Sequence, residues 1–218
     1  MEESKSYCTL YLVRHGETEW NLKNITQGQT NSLLTEKGIE QAKATSEKLK
    51  DIHFDAIFSS DLTRTQKTAE IIKLDRDIIV QTSKLLRERS YGSFEGKHSD
   101  EFKQILKEQL VKRESLSDEE SWSFKLAEDI ETDETLVARF LVQLREISAA
   151  YIGKTVLVVS HGGPIRMFLV KTGYATKKEL PGGSFKNGGY AKILSDGVDF
   201  FVKNVQGVKK QSSSTVLE

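Results

Sequence analysis

Residues 155–159 read Thr-Val-Leu-Val-Val, a β-branched and aliphatic run without a charge. A strand with one wet face alternates apolar and polar side chains. An unbroken run suits a strand covered on both faces, as in a parallel sheet. The same texture recurs at Cys8-Thr9-Leu10-Tyr11-Leu12-Val13, at Ala56-Ile57-Phe58 and at Ile78-Ile79-Val80. Helical periods separate these runs. Thr35 is placed to cap a helix whose Ile39, Ala42, Ser46 and Leu49 share a face. Asp61 is placed to cap another, carrying Leu62, Thr65, Ala69 and Ile72. Phe102, Ile105, Leu106 and Leu110 form a third stripe, and Val137, Phe140, Leu141, Leu144 and Ile147 the longest. Ile165, Phe168 and Leu169 follow Pro164, a residue favoured in a first turn. Near the end, 190–194 and 198–205 flank Asp196-Gly197, which favours a two-residue hairpin turn. The alternation predicts a three-layer α/β/α sandwich on a mixed, mostly parallel sheet. Residues 107–133 are polar and acidic, with Trp122 and Phe124 as isolated apolar points. A helical insertion over about 99–133, lying across one end of the sheet as a lid, is therefore expected.

Thirty-two basic residues balance 32 acidic ones in a chain of 218. A nucleic-acid binder of this size usually carries a basic excess, so no nucleic-acid partner is expected. Any positive potential must be local. The length fits a single domain, taken as 1–210, followed by a flexible tail over 211–218. Cys8 is the one cysteine, so no internal disulfide forms and a reducing compartment is favoured. The start of the chain is polar, and no apolar stretch is long enough to span a bilayer. These features together predict a cytoplasmic protein with no membrane partner. They assign no oligomeric state.

Ligands of open α/β sheets bind beyond the carboxyl ends of the strands. Four polar features fall at such ends: Arg14-His15-Gly16, then Ser59-Ser60-Asp61 leading to Arg64, then Glu88, then His161-Gly162-Gly163. Two histidines, two arginines and a carboxylate on one edge suit a phosphate monoester. Guanidinium forks match phosphate oxygens and stay charged. Helix N-termini add backbone donors. A neutral imidazole can attack phosphorus if its other nitrogen is held as a donor. A carboxylic acid, here Glu88, can protonate the leaving alcohol. No metal or cofactor is called for, because guanidinium groups can neutralise the developing charge.

Four blocks carry a resemblance. They are Leu12-Val13-Arg14-His15-Gly16-Glu17-Thr18-Glu19-Trp20-Asn21, residues 59–65 with Arg64, Leu86-Arg87-Glu88-Arg89-Ser90-Tyr91-Gly92, and Val159-Ser160-His161-Gly162-Gly163. In this order they resemble the histidine phosphatase superfamily, in the branch of cofactor-dependent phosphoglycerate mutases and related phosphatases. The resemblance implies that His15 takes the phosphoryl group as phosphohistidine. It implies that Arg14, Arg64 and His161 surround that group. Glu88 would donate a proton and then act as base for water. Asn21, Gln27, Gly28 and the Gly162 amide would complete the phosphate pocket, with Arg89 and Tyr91 as further substrate contacts. The implied substrate is a small phosphate ester.

His161-Gly162-Gly163 resembles an esterase oxyanion segment, but no Gly-x-Ser-x-Gly elbow accompanies it. The glycine spacing of 92–97 is one residue short of a phosphate-cradling loop. His53 and His98 lack metal-ligand spacing, and Cys8 is expected to be inert. Arg87 and Arg89 could hold Glu88 in a plain ion pair. The mutases of the branch carry a lysine and then an arginine pair beyond the acid. Here Ser99 stands near the lysine position, and Lys112-Arg113 is followed by Glu114 and the acidic 115–120. That departure favours a phosphatase over a mutase. A silent relative acting as a binding module comes last, because both nucleophile and acid are present.

Overall fold

The continuous runs form the middle of a six-stranded sheet in a computed structural model that describes residues 6–211. The expected tail falls mostly in 212–218, outside the described residues. Strands β1 (Cys8–Arg14), β2 (Ala56–Ser60), β3 (Val80–Ser83) and β4 (Thr155–Ser160) are mutually parallel, in the order β3-β2-β4-β1. β5 (Phe185–Ser195) and β6 (Phe200–Val208) extend the β1 edge as antiparallel strands. The sheet is thus mixed and mostly parallel.

Strand periodicity explains the two layers of helix. Leu10 and Leu12 of β1, with Val156 and Val158 of β4, face one side. There they meet Phe140, Leu144 and Ile147 of α7 (Asp133–Ala150) and Ile165, Phe168 and Leu169 of α8 (Gly162–Lys171). Tyr11, Val13, Leu157 and Val159 face the other, against Leu49 of α2 (Glu36–Leu49) and Ala69 and Ile72 of α3 (Thr63–Lys73). Each fully buried aliphatic or aromatic side chain contributes roughly 1.5–3 kcal/mol, so both faces must be covered for the runs to be favourable. Thr35 caps α2 as its sequence position implies, its hydroxyl accepting from Gly38 N at 3.0 Å.

Four expectations need correction. The third strand begins at Val80, not Ile78, and Ile79 is 83% exposed. β3 is an edge strand, so its paired residues Gln81, Thr82 and Ser83 need not be apolar. Asp61 does not cap α3. Leu62 takes that position, and Asn31 Oδ1 accepts from Thr63 N at 3.0 Å instead. The stripe at Phe102 is not one helix: it breaks at Leu106 between α4 (Ser99–Ile105) and α5 (Lys107–Glu114), leaving Ile105 exposed. The hairpin loop spans four residues, 196–199, with Asp196 Oδ1 accepting from the amides of Val198 and Asp199. Helices α4, α5 and α6 (Asp118–Ser123) make the expected insertion helical, around a small cluster of Phe94, Leu106 and Ile130. Among the described residues, no helix is long and apolar enough to cross a membrane.

Candidate active site

The parallel register fixes the centre of the site. Val13 pairs with Val159 and Arg14 with Ser160, so His15 and His161 leave neighbouring strands side by side. Their rings lie 5.2 Å apart at 67°. His15 is held from several directions. Its amide donates to Ser160 O at 3.1 Å, and its carbonyl accepts from Asn187 Nδ2 at 3.0 Å. The next residue must be glycine, because a Cβ on Gly16 would sit 2.2 Å from Gly38 O in the first turn of α2.

The tautomer of His15 follows from its partner. Nδ1 lies 2.7 Å from Gly16 O, and a carbonyl can only accept, so Nδ1 carries the proton. Nε2 is then left with a lone pair. Burial, then Arg64 and Arg14, push the ring's pKa well below 6.5. It is a neutral, oriented imidazole with a free nucleophilic nitrogen at neutral pH.

His161 has the opposite polarity. Its Nδ1 accepts from Arg64 Nε at 3.2 Å, so its proton sits on Nε2. That Nε2 is buried and has no hydrogen-bond partner in the protein. Arg14 Nε is buried and orphaned in the same way. Arg14 Nη1 meanwhile donates to the Phe185 carbonyl at the start of β5. Two buried donors without acceptors cost free energy unless a ligand supplies oxygens. Arg64 is fully buried, with Nη1 on Thr30 O and Nη2 on Gly28 O, each at 2.7 Å. Burial lowers its pKa to about 10, so it stays charged at neutral pH. The centre therefore combines two cations, a neutral donor ring and a neutral nucleophilic ring, an arrangement able to bind and attack a phosphoryl group.

Stability carries the same imprint. Burial, then Arg64, also pushes His161 well below 6.5. Unfolded histidines protonate near 6.5, while these two do not until lower pH. Below 6.5 the unfolded state therefore binds more protons, and stability falls as pH drops, by up to about 1.4 kcal/mol per unit for each ring. Melting temperature is expected to fall between pH 7 and pH 5, and His15→Ala to make that fall shallower. A slope unchanged by the substitution would contradict the buried neutral ring.

Glu88 meets the first turn of α8. Its Oε2 accepts from Gly163 N at 3.0 Å and its Oε1 from Arg89 N at 2.7 Å. A Cβ on Gly163 would lie 2.0 Å from Glu88 Oε1, so only glycine admits the carboxylate there. The plain ion pair with its flanking arginines is not formed. Arg87 forks onto Asp61 through Nε and Nη2, each at 2.6 Å, and Arg89 turns to Asp133. Arg139 of α7 holds the backbone of this turn, donating to the carbonyls of Leu85, Arg87 and Glu88 at 2.7–2.8 Å.

The remaining anticipated residues fall around this centre with differing contacts. Asn21 Oδ1 accepts from Thr18 Oγ1 at 3.1 Å and Asn187 Nδ2 at 3.4 Å, one residue removed from His15. Gln27 is buried with its Oε1 unpartnered, and Gly28 lends its carbonyl to Arg64. Tyr91 packs edge-on against Phe102, their centroids 5.6 Å apart. Gly162 lies flat against Arg14, where a Cβ would stand 3.1 Å from Nε. The amide that contacts the Glu88 carboxylate is that of Gly163. Asn187, Thr30 and Arg139 escaped the sequence reading, and Gly163 was named there without a role of its own. Among the described residues, no cluster of three or more His, Cys, Asp or Glu is arranged to hold a metal ion.

This geometry has relatives. The model of the histidine phosphatase superfamily, branch 1, matches residues 10–205. The chain belongs to this superfamily. Within it, the chain is similar to the Bacillus subtilis (strain 168) protein named uncharacterized phosphatase PhoE, 35% identical over 160 residues, or 73% of this chain and 75% of that one. Bacillus stearothermophilus YhfR superposes with a TM-score of 0.80 at 30% identity, over 92% of this chain and 97% of its own. Phosphoglycerate mutase from Bacillus anthracis str. Sterne superposes with a TM-score of 0.82 at 28% identity, over 94% and 95%. Histidine phosphatase relatives of this chain thus carry both phosphatase and mutase names.

Proposed function

We propose that the protein hydrolyses small phosphate monoesters through a phosphohistidine on His15. The observation that carries this reading is the pairing of the His15 Nε2 lone pair with two orphaned buried donors, Arg14 Nε and His161 Nε2. In the first step Nε2 attacks phosphorus, the ester P–O bond breaks, and the leaving alkoxide takes a proton from Glu88. In the second, Glu88 takes a proton from water as its oxygen attacks phosphorus. The N–P bond breaks, inorganic phosphate leaves and His15 returns to neutrality. Arg14, Arg64 and His161 hold the phosphoryl oxygens throughout. Arg64 charge and the strand-end setting support these roles.

A second reading, a bisphosphate-dependent phosphoglycerate mutase, is favoured by the likeness to the Bacillus anthracis mutase. It would need free basic groups beyond Glu88. Arg113 is instead engaged by Asp133, and Lys112 lies over the Phe124 ring at 5.9 Å. We therefore expect a metabolite panel to give inorganic phosphate from sugar phosphates and related esters. Conversion of 3-phosphoglycerate to its 2-isomer, with bisphosphate primer present, is expected to stay at background. Isomerisation outpacing phosphate release would reverse the assignment. We place the whole activity in one domain over 1–210 of a cytoplasmic enzyme.

A further inference from the structure

Beside the acid lies a basic cluster that the chemistry above leaves unused. Arg89 Nη2 reaches Asp133 Oδ1, while Arg113 Nη2 and Lys177 Nζ reach Asp133 Oδ2, Lys177 at 3.0 Å. The Asp133 side chain is 1% exposed. Lys177 also donates to Ser121 Oγ at 2.7 Å, and Arg89 Nη1 donates to Glu131 O at 2.6 Å. Arg166 is close enough to feel the same carboxylate, with its Nη1 on Leu180 O at 2.7 Å. Four separate parts of the chain supply these groups: the Glu88 turn, α5, the start of α7, and α8 with the loop after it. The cluster adjoins the proposed chemistry, since the Arg89 amide bonds the Glu88 carboxylate while its guanidinium bonds Asp133.

Three cations on one buried carboxylate form a ready receptor for an anion, and one of them, Arg113, is partly open to solvent. The protein has filled that receptor itself. We propose that Asp133 is a specificity determinant, an internal carboxylate that occupies the donors with which this cluster would otherwise hold a second anionic group of the substrate. The substrate class is then the phosphate monoester whose remaining part is uncharged, such as a polyol or sugar phosphate. Esters bearing a carboxylate or second phosphate are disfavoured because their extra anion would have to displace a charge already paired and desolvated. The inference rests on the phosphomonoesterase reading for the position of the ester. It deepens that reading by stating what lies on the other side of Glu88.

The test compares two probes with the same phosphate and hydroxyl: 3-phosphoglycerate, which ends in a carboxylate, and glycerol 3-phosphate, which ends in a neutral hydroxymethyl. Both are titrated calorimetrically into proteins carrying His15→Ala, so that neither turns over. Asp133→Asn keeps shape and one acceptor but removes the charge. It is expected to tighten 3-phosphoglycerate at least tenfold relative to glycerol 3-phosphate. Adding Arg113→Gln to that variant should erase the gain, whereas Arg113→Gln alone should leave the ratio within about twofold. An unchanged ratio in folded D133N overturns the proposal. So does a tenfold loss of 3-phosphoglycerate preference from Arg113→Gln alone, because the cluster would then already grip the carboxylate. Should D133N fail to fold, Asp133→Asn with Lys177→Gln removes one charge of each sign and carries the same comparison. Hydrolysis of p-nitrophenyl phosphate by the protein with His15 intact is measured separately. Its absence counts against the phosphatase reading, while the affinity ratio still decides the role of Asp133.

Discussion

Replacing His15 with alanine is expected to abolish turnover of phosphate esters, with a loss of at least about 10⁴-fold, equivalent to roughly 5 kcal/mol of transition-state stabilisation. The loss should be this large because nothing nearby can substitute. His161 offers a donor rather than a lone pair towards the centre, since its Nδ1 is committed to Arg64. The substitution should not unfold the chain. His15 contributes its ring to a polar pocket, and the backbone contacts to Ser160 and Asn187 are retained in the variant. A stability change within about 1–2 kcal/mol is expected, measured by thermal or urea unfolding. The folded variant should still bind inorganic phosphate, because Arg14, Arg64 and His161 remain. Acid quenching of the parent enzyme during turnover of a labelled ester should trap label on His15 and on no other residue. Full activity in the alanine variant would end the proposed mechanism.

Glu88→Gln is expected to produce a different signature. Glutamine preserves the shape and leaves one oxygen for the Gly163 amide, but it cannot hand over a proton. Single-turnover release of the alcohol should slow by roughly 10²–10⁴-fold for alkyl esters, whose leaving groups need protonation. For p-nitrophenyl phosphate, with its stable leaving anion, the same step should slow by less than about tenfold. Steady-state rates are a poorer guide, because the second step also uses Glu88 and slows for every ester. Equal losses of alcohol release across leaving groups would remove Glu88 as the acid and point to the Gly163 and Arg89 amides as holding a merely structural carboxylate.

Much of this centre could be read along the chain because it sits where short-range patterns end. The runs ending at Val13 and Val159 are strands buried on both faces, so their apolar texture marked their ends, and His15 and His161 follow at once. Edge and long-range features were illegible for physical reasons. β3 lies at the sheet edge, where burial no longer enforces apolar residues, and the apolar Ile78-Ile79-Val80 therefore misplaced its start. Asp61 had the local chemistry of a helix cap, yet Arg87 from another strand end outcompeted the nearby amides with a bidentate charge-assisted pair. Arg87 and Arg89 flank Glu88 in sequence but splay to opposite carboxylates in space. The ring of cations around Asp133 depends on segments that meet only after folding.

β5 runs against its parallel neighbours, so it begins at the edge where they end, bringing the Phe185 carbonyl to Arg14 and the Asn187 amide to the His15 carbonyl. This reversal ties competence to the order of synthesis. As the chain leaves the ribosome, the proposed nucleophile emerges 172 residues ahead of Asn187, which braces its strand end. A nascent chain halted before β5 would hold both histidines, both arginines and the acid, yet neither Arg14 nor His15 would have its final restraint. A chain ended there would therefore carry the proposed reacting groups without the β5 contacts that hold Arg14 and His15.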